Sequence, residues 1–105
     1  MAAVIVSREA RRDLQGIRTY IRDELQNPEA SRRILKALRA AIEDLRLFPG
    51  RGRPLDVMLP VHTPYRYLPC EHYCIFYVET REQVLVIRVL HEKQDCMRAL
   101  FAQKE

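Results

Sequence analysis

The apolar residues of this chain change period once along its length, and that single change limits the folds open to it. Ala10, Leu14, Ile17, Ile21 and Leu25 recur at spacings of three and four, as do Ile34, Leu38, Ala41, Leu45 and Phe48, with Leu35 and Ile42 widening the second set. Each set is the buried stripe of an amphipathic helix. From Tyr73 onward the pattern becomes β-branched and aromatic, in two runs from Tyr73 to Glu79 and from Val84 to His91. Those runs read as strands. With 105 residues and 48% apolar content, the whole span 1–105 is expected to be one domain that buries a core without disulfide or metal staples.

Local signals set the boundaries. Ala2 to Val6 reads as a short strand, and Ser7 offers a hydroxyl cap to the first helix. Gly16 interrupts that helix at a cost of about 1 kcal/mol relative to alanine, which implies close packing there or simple tolerance. Asn27-Pro28-Glu29 ends one helix and starts the next: asparagine caps, proline suits the first helical position and glutamate complements the dipole. Pro49-Gly50 stops the second helix, and the two helices form a hairpin. The segment from Arg51 to Pro64 is expected as an exposed loop or edge, Tyr65 to Leu68 as a strand, and Pro69-Cys70-Glu71-His72 as a turn. Thr80-Arg81-Glu82-Gln83 lacks glycine and asparagine, so a four-residue loop on a type I turn is expected between the last two strands. Beyond Asp95, the residues Met97, Leu100 and Phe101 suit a short helix capped by Asp95, or a tail that orders on binding. The expected class is α+β: an N-terminal strand, then an antiparallel helical hairpin packed on a mainly antiparallel twisted sheet, in the order βααβββ.

No run approaches the roughly 20 apolar residues of a membrane span, and Met1 to Val6 is too short for a signal core, with its arginines after it rather than before. A cytoplasmic protein with reduced Cys70, Cys74 and Cys96 is expected. No Gly-rich phosphate loop, HExxH or paired-carboxylate motif occurs, and no cofactor is expected. The formal charge of +4 comes almost entirely from arginine, whose planar fork suits carboxylate and phosphate, so an acidic protein or a nucleic acid is a fitting partner.

With Thr80 to Gln83 as the loop, Cys74 is expected opposite Val89 and His72 opposite His91. One face then carries His72, Cys74, Phe76, Val78, Leu85, Ile87, Val89 and His91 and covers the helices; the other offers Tyr73, Ile75, Tyr77, Val86 and Arg88 to a partner or a phosphate backbone. Several of these residues have two readings. Arg88 either contacts a partner or pairs structurally with Asp95 or a carbonyl. His91 is either a hydrogen-bonded rim residue or an acid–base group. Arg8, Arg11, Arg18 and Arg22 share one face of the first helix, which is either solvated or grips a phosphate backbone or an acidic protein. Cys70, His72 and Cys74 alternate as metal ligands would in an extended chain, but the turn at Pro69 breaks the alternation, no fourth ligand is evident, and no metal is expected. Cys74 beside His91 would suit a thiolate nucleophile, except that apolar surroundings raise a thiol's pKa.

Taken together, Ser7-x-x-Ala10-x-x-Asp13-Leu14, Ile17-x-x-Tyr20-Ile21, Asn27-Pro28, Arg66-x-Leu68, Tyr73-x-Ile75-Phe76-Tyr77 and Arg88-Val89-Leu90-His91-x-x-Gln94-Asp95 resemble the RelE/ParE superfamily of bacterial toxins, and its ParE branch most. The resemblance implies the toxin of a type II toxin–antitoxin, plasmid-stabilising module. Such a protein arrests growth by inhibiting DNA gyrase, is held inactive by a cognate acidic antitoxin, and meets operator DNA only through that antitoxin. The residues it singles out for partner binding are Arg66, Tyr73, Tyr77, Arg88, His91, Gln94 and Asp95. The alternative is a metal-independent, ribosome-dependent messenger RNA endonuclease of RelE type, with His91, Arg66 and Arg88 as its working groups. Against that stand Cys74, where those nucleases often carry arginine after the strand tyrosine, and Glu92, where a cation would help the transition state. A third reading is a retained fold without toxicity.

Overall fold

The computed structural model describes residues 2–57 and 62–101. Its elements are β1 (Ala3–Val6), α1 (Arg8–Thr19), a π-helical turn (Tyr20–Glu24), α2 (Pro28–Asp44), β2 (Arg53–Pro54), a 3-10 turn (Leu55–Val57), β3 (Tyr65–Cys70), β4 (Tyr73–Glu79), β5 (Gln83–His91) and α3 (Cys96–Phe101). The strands form one sheet in the order β1-β5-β4-β3-β2, antiparallel except where β1 runs parallel to β5. The α+β architecture expected from the apolar pattern is present, with the two-residue β2 added at one edge.

The expected caps form. Ser7 Oγ accepts from Ala10 N at 3.0 Å and donates to the Ile87 carbonyl at 2.9 Å, so one side chain both starts α1 and ties it to β5. Asn27 Oδ1 accepts from Ala30 N at 3.0 Å, with Pro28 in the first turn of α2. Two stripe residues nevertheless leave the core. Leu25 is exposed because the π turn before it inserts extra backbone and rotates it off the buried face. Phe48 is exposed because α2 ends at Asp44, and Leu45 is the last residue of its stripe to be buried.

Both faces of the sheet are covered. Against α1 and α2 lie Tyr73, Ile75, Tyr77, Val84, Val86 and Val89, packed on Ala10, Ile17, Ile21, Leu35, Leu38, Ile42 and Leu45. Against α3 lie Phe76, Leu90, Leu55, Cys74 and Ile87, with Tyr65 stacked on Phe101 at 5.5 Å between ring centroids. The expected assignment of faces is therefore inverted for β4 and the first half of β5, whereas Val89 meets the helices and Arg88 faces away from them, as expected. Near the loop the register is the expected one, with Val78 opposite Leu85 and Tyr77 opposite Val86. A bulge between Phe76 and Tyr77 then shifts it, setting Phe76 opposite Arg88, Cys74 opposite Leu90 and Tyr73 opposite His91. The bulge places Val84 and Val86 on the same face as Val89, which strict alternation forbids. With both faces apolar, alternation alone does not say which takes the helices. Leu55, within the segment expected to be exposed, is buried under the α3 face; residues 58–61 of that segment lie outside the described residues.

Candidate functional site

The residues singled out from the sequence fall into three groups. Tyr73 and Tyr77 belong to the core, at 9% and 0% exposure, so the expected open face of Tyr73, Tyr77 and Arg88 does not exist. Tyr77 is fixed at both ends of its hydroxyl: it donates to the Pro49 carbonyl at 2.7 Å and accepts from Gly52 N at 2.8 Å. A Cβ at Gly52 would lie 2.7 Å from that oxygen, which requires glycine there. Burial pushes the Tyr77 phenol pKa up.

Arg66 and Arg88 form the second group, and each is committed to structure. Arg66 lies opposite Tyr77 on the helix side, donates to the Gly52 carbonyl at 2.7 Å and approaches Glu79 at 3.5 Å. Arg88 lies opposite Phe76 on the α3 side and reaches around the edge of β5 beyond β1 to Asp13, donating at 2.7 and 2.9 Å. Asp13 Oδ2 also accepts from Val89 N at 2.9 Å, closing the strand edge that β1 leaves open. The hydrogen bond to Asp13 raises the Arg88 pKa. The structural partner is thus Asp13 and not Asp95, which instead caps α3 by accepting from Arg98 N at 3.1 Å. With one arginine on each face and β4 between their strands, Arg66 and Arg88 do not converge.

The third group forms a cleft where β4 and β5 end beside α1. Arg12, Asp13, Gly16, Ile17, Tyr20, Tyr73, Val89, His91, Lys93 and Gln94 line an open depression of about 530 Å³. The His91 ring stands edge-on to Tyr73 at 5.2 Å, its backbone N donates to Gln94 Oε1 at 2.8 Å, and its Nδ1 accepts from Lys93 N at 3.1 Å. That acceptor role leaves the ring proton of a neutral His91 on Nε2. His72 is not its strand partner as expected; it occupies the β3–β4 turn and meets Glu92 at 2.9 Å. Ile17 and Val89 give the cleft an apolar floor, the exposed Tyr20 ring an aromatic wall, and Arg12 and Lys93 a cationic rim. The cleft thus combines apolar surface with hydrogen-bonding and charged groups.

Sequence reasoning missed Tyr20 and Gly16 as members of this cleft, because what marks them is visible only in the structure. A Cβ at Gly16 would meet nothing within 4 Å, so this glycine marks open space and not close packing. Tyr20 opens the π turn, a distortion frequent at functional sites. Cys74 lies under α3 opposite Leu90 and away from the His91 side of the hairpin. Burial, then Cys96 and Glu92, pushes its pKa up, against a nucleophilic role. Among the described residues, no three His, Cys, Asp or Glu side chains are grouped to hold a metal ion.

The topology defines a small α+β domain, with an N-terminal strand and a helical hairpin on a mainly antiparallel sheet. A solved structure described as the chromosomal ParDE TA system from P. aeruginosa superposes with a TM-score of 0.71, covering 87% of this chain and 96% of that one at 20% identity. The family model described as ParE toxin of type II toxin-antitoxin system, parDE, matches residues 4–96. Toxin ParE of Escherichia coli is 37% identical over 101 residues, which span 95% of this chain and 94% of the relative. The chain belongs to the ParE toxin family of type II toxin–antitoxin systems. Among the described residues, no helix is long and apolar enough to cross a membrane.

Proposed function

We propose that this toxin arrests growth by binding DNA gyrase, with the cleft between Tyr20 and His91 as the contact that recognises its target, and that a cognate acidic antitoxin neutralises it. The observation that carries this reading is the commitment of both site arginines. Cleavage of a phosphodiester needs free cations gathered around one phosphate beside an acid–base group. Here Arg66 and Arg88 are paired on opposite faces of the sheet, and His91 stands apart from both pairings. A binding mechanism asks only for an accessible pocket with hydrogen-bonding groups, and His91, Gln94, Tyr20 and Lys93 provide one. The antitoxin partner is supported by membership of the parDE toxin family and by the fold shared with a ParDE system.

The test is a gyrase supercoiling assay run beside a ribosome-bound messenger RNA cleavage assay, with wild type, Tyr20→Ala, His91→Ala and Arg66→Ala. Wild type is expected to inhibit supercoiling and leave the message intact, with Tyr20→Ala and His91→Ala each weakening inhibition by tenfold or more while remaining folded. Robust message cleavage that disappears in Arg66→Ala, with gyrase unaffected, would reverse the reading.

A further inference from the structure

The outer surface of the helical hairpin carries a second feature, separate from the Tyr20–His91 cleft. Two depressions of about 460 and 390 Å³ adjoin along the seam between α1 and α2, and Arg18 and Arg39 line both. The combined walls hold Arg11, Arg18 and Arg22 from the α1 side and Arg32, Lys36 and Arg39 from α2, against a single acid, Glu43. Glu43 is itself held by Arg46 at 2.5 Å. Arg22 is paired with Asp23 at 2.8 Å; among the described residues Arg18, Arg32, Lys36 and Arg39 have no ion-pair partner. The excess of positive charge in the whole chain is +4, so this one groove accounts for it, and the rest of the described surface is close to balanced.

We propose that this groove binds the sugar–phosphate backbone of a nucleic acid, independently of sequence. Five of its six cations are arginines, whose forked donors match phosphate oxygens. From Arg11 to Arg22 the row is about 16 Å long at helical rise, over which one strand of a duplex carries about five phosphates. No aromatic side chain lines the groove, so bases have nothing to stack on and recognition is confined to the backbone. An acidic amphipathic peptide is the poorer fit, because Leu35 and Ile42 are only 3% and 5% exposed, which leaves the half-buried Val6 and Leu14 in one of the two depressions as the apolar surface such a helix could bury. The proposal does not rest on the gyrase reading, and its test contains no gyrase.

Purified full-length protein is titrated, by fluorescence anisotropy, into a labelled mixed-sequence duplex DNA, its single strand, an RNA of the same sequence, and poly-glutamate. Micromolar binding to nucleic acid at low salt is expected, with log K falling against log salt at a slope of about −3 as several phosphates are neutralised. Arg18→Glu with Arg39→Glu should weaken it more than tenfold, whereas the charge-matched pair Arg53→Glu with Arg81→Glu, both exposed and outside the groove, should stay within threefold. The duplex, single-strand and RNA arms rank the preferred nucleic acid. Equal losses in both double variants would reduce the effect to net charge and overturn the site, as would tighter binding to poly-glutamate or an affinity indifferent to salt. Matching circular dichroism spectra and melting temperatures for the two variants keep the comparison one of binding.

Discussion

The two faces of the sheet are both apolar, yet they are covered in different ways. On one side, helices of 12 and 17 residues lie over Ile75, Tyr77, Val84, Val86 and Val89, with Tyr77 further pinned through its hydroxyl to Pro49 and Gly52. On the other, the six-residue α3 lies over Phe76, Leu90, Cys74 and Ile87, and no residue of α3 is itself fully buried. The first face is covered by two long helices, the second by one short one whose own residues stay partly exposed. Arg88 joins the two, since it starts on the α3 side, donates to the Ala99 carbonyl at 3.5 Å, and ends on Asp13 of α1.

The largest effect should come from the helix face. Ile75→Ala removes a side chain with 0% exposure from the middle of β4 and is expected to cost about 4 kcal/mol of transfer and cavity energy. Urea unfolding measures it, and a cost below 1 kcal/mol would make the two faces equivalent. Next comes the link between them. Asp13→Ala strands the Arg88 guanidinium and the Val89 N–H together, an expected cost of about 3 kcal/mol given side chains only 28% and 14% exposed. A double-mutant cycle with Arg88→Met should recover part of it, and full additivity would show that the pair is not coupled.

The α3 face should respond less in stability and more in access. Leu100→Asp is expected to cost about 1 kcal/mol and to speed alkylation of Cys74, which α3 helps to cover, while leaving Cys70 under α2 unchanged. Mass spectrometry of the modified peptides distinguishes the two sites, and equal acceleration at both would mean that the helix face had opened too. The smallest effect is alkaline. Burial raises the pKa of Cys70, Cys74, Tyr73 and Tyr77. Groups whose folded pKa is raised stabilise the fold fully below their unfolded values, about 8.5 for the thiols and 10 for the phenols, and that stabilisation is lost as pH climbs through the folded values. Melting temperature should therefore be level up to pH 8 and fall above it. Part of the fall should vanish in a Cys70→Ser, Cys74→Ser variant; an unchanged profile would locate the loss elsewhere.

The helical stripes, both helix caps, the breaks at Asn27-Pro28 and Pro49-Gly50, the strand runs and the Asp95 cap were legible because each depends on a few neighbouring residues. The cleft was only partly so. His91 and Gln94 stood out as polar groups at a strand end, whereas Tyr20 and Gly16 joined them only once α1 was laid against β5. The basic groove was half legible: Arg8, Arg11, Arg18 and Arg22 were read as one cationic row, of which Arg8 lies outside the groove, and Arg32, Lys36 and Arg39 became its opposite wall through the pairing of two helices.

The sequence by itself determined the α+β class, the order of elements and the resemblance to ParE toxins, since periodicity and capping act over a turn or two of chain. Tertiary structure alone decided which face of the hairpin meets the helices, and with it the fate of Tyr73, Tyr77 and Arg88. Both faces of β4 are apolar, so alternation fixes no inside and the packing of the helices alone placed Tyr73 and Tyr77; the bulge opposite Phe76 and Tyr77 then shifts β5 by one residue and puts Arg88 on the α3 side. The partner of Arg88 was likewise a tertiary choice. Asp95 is seven positions away in sequence, but it is spent on capping α3, and the carboxylate that reaches the guanidinium comes from α1 across the open edge of β5.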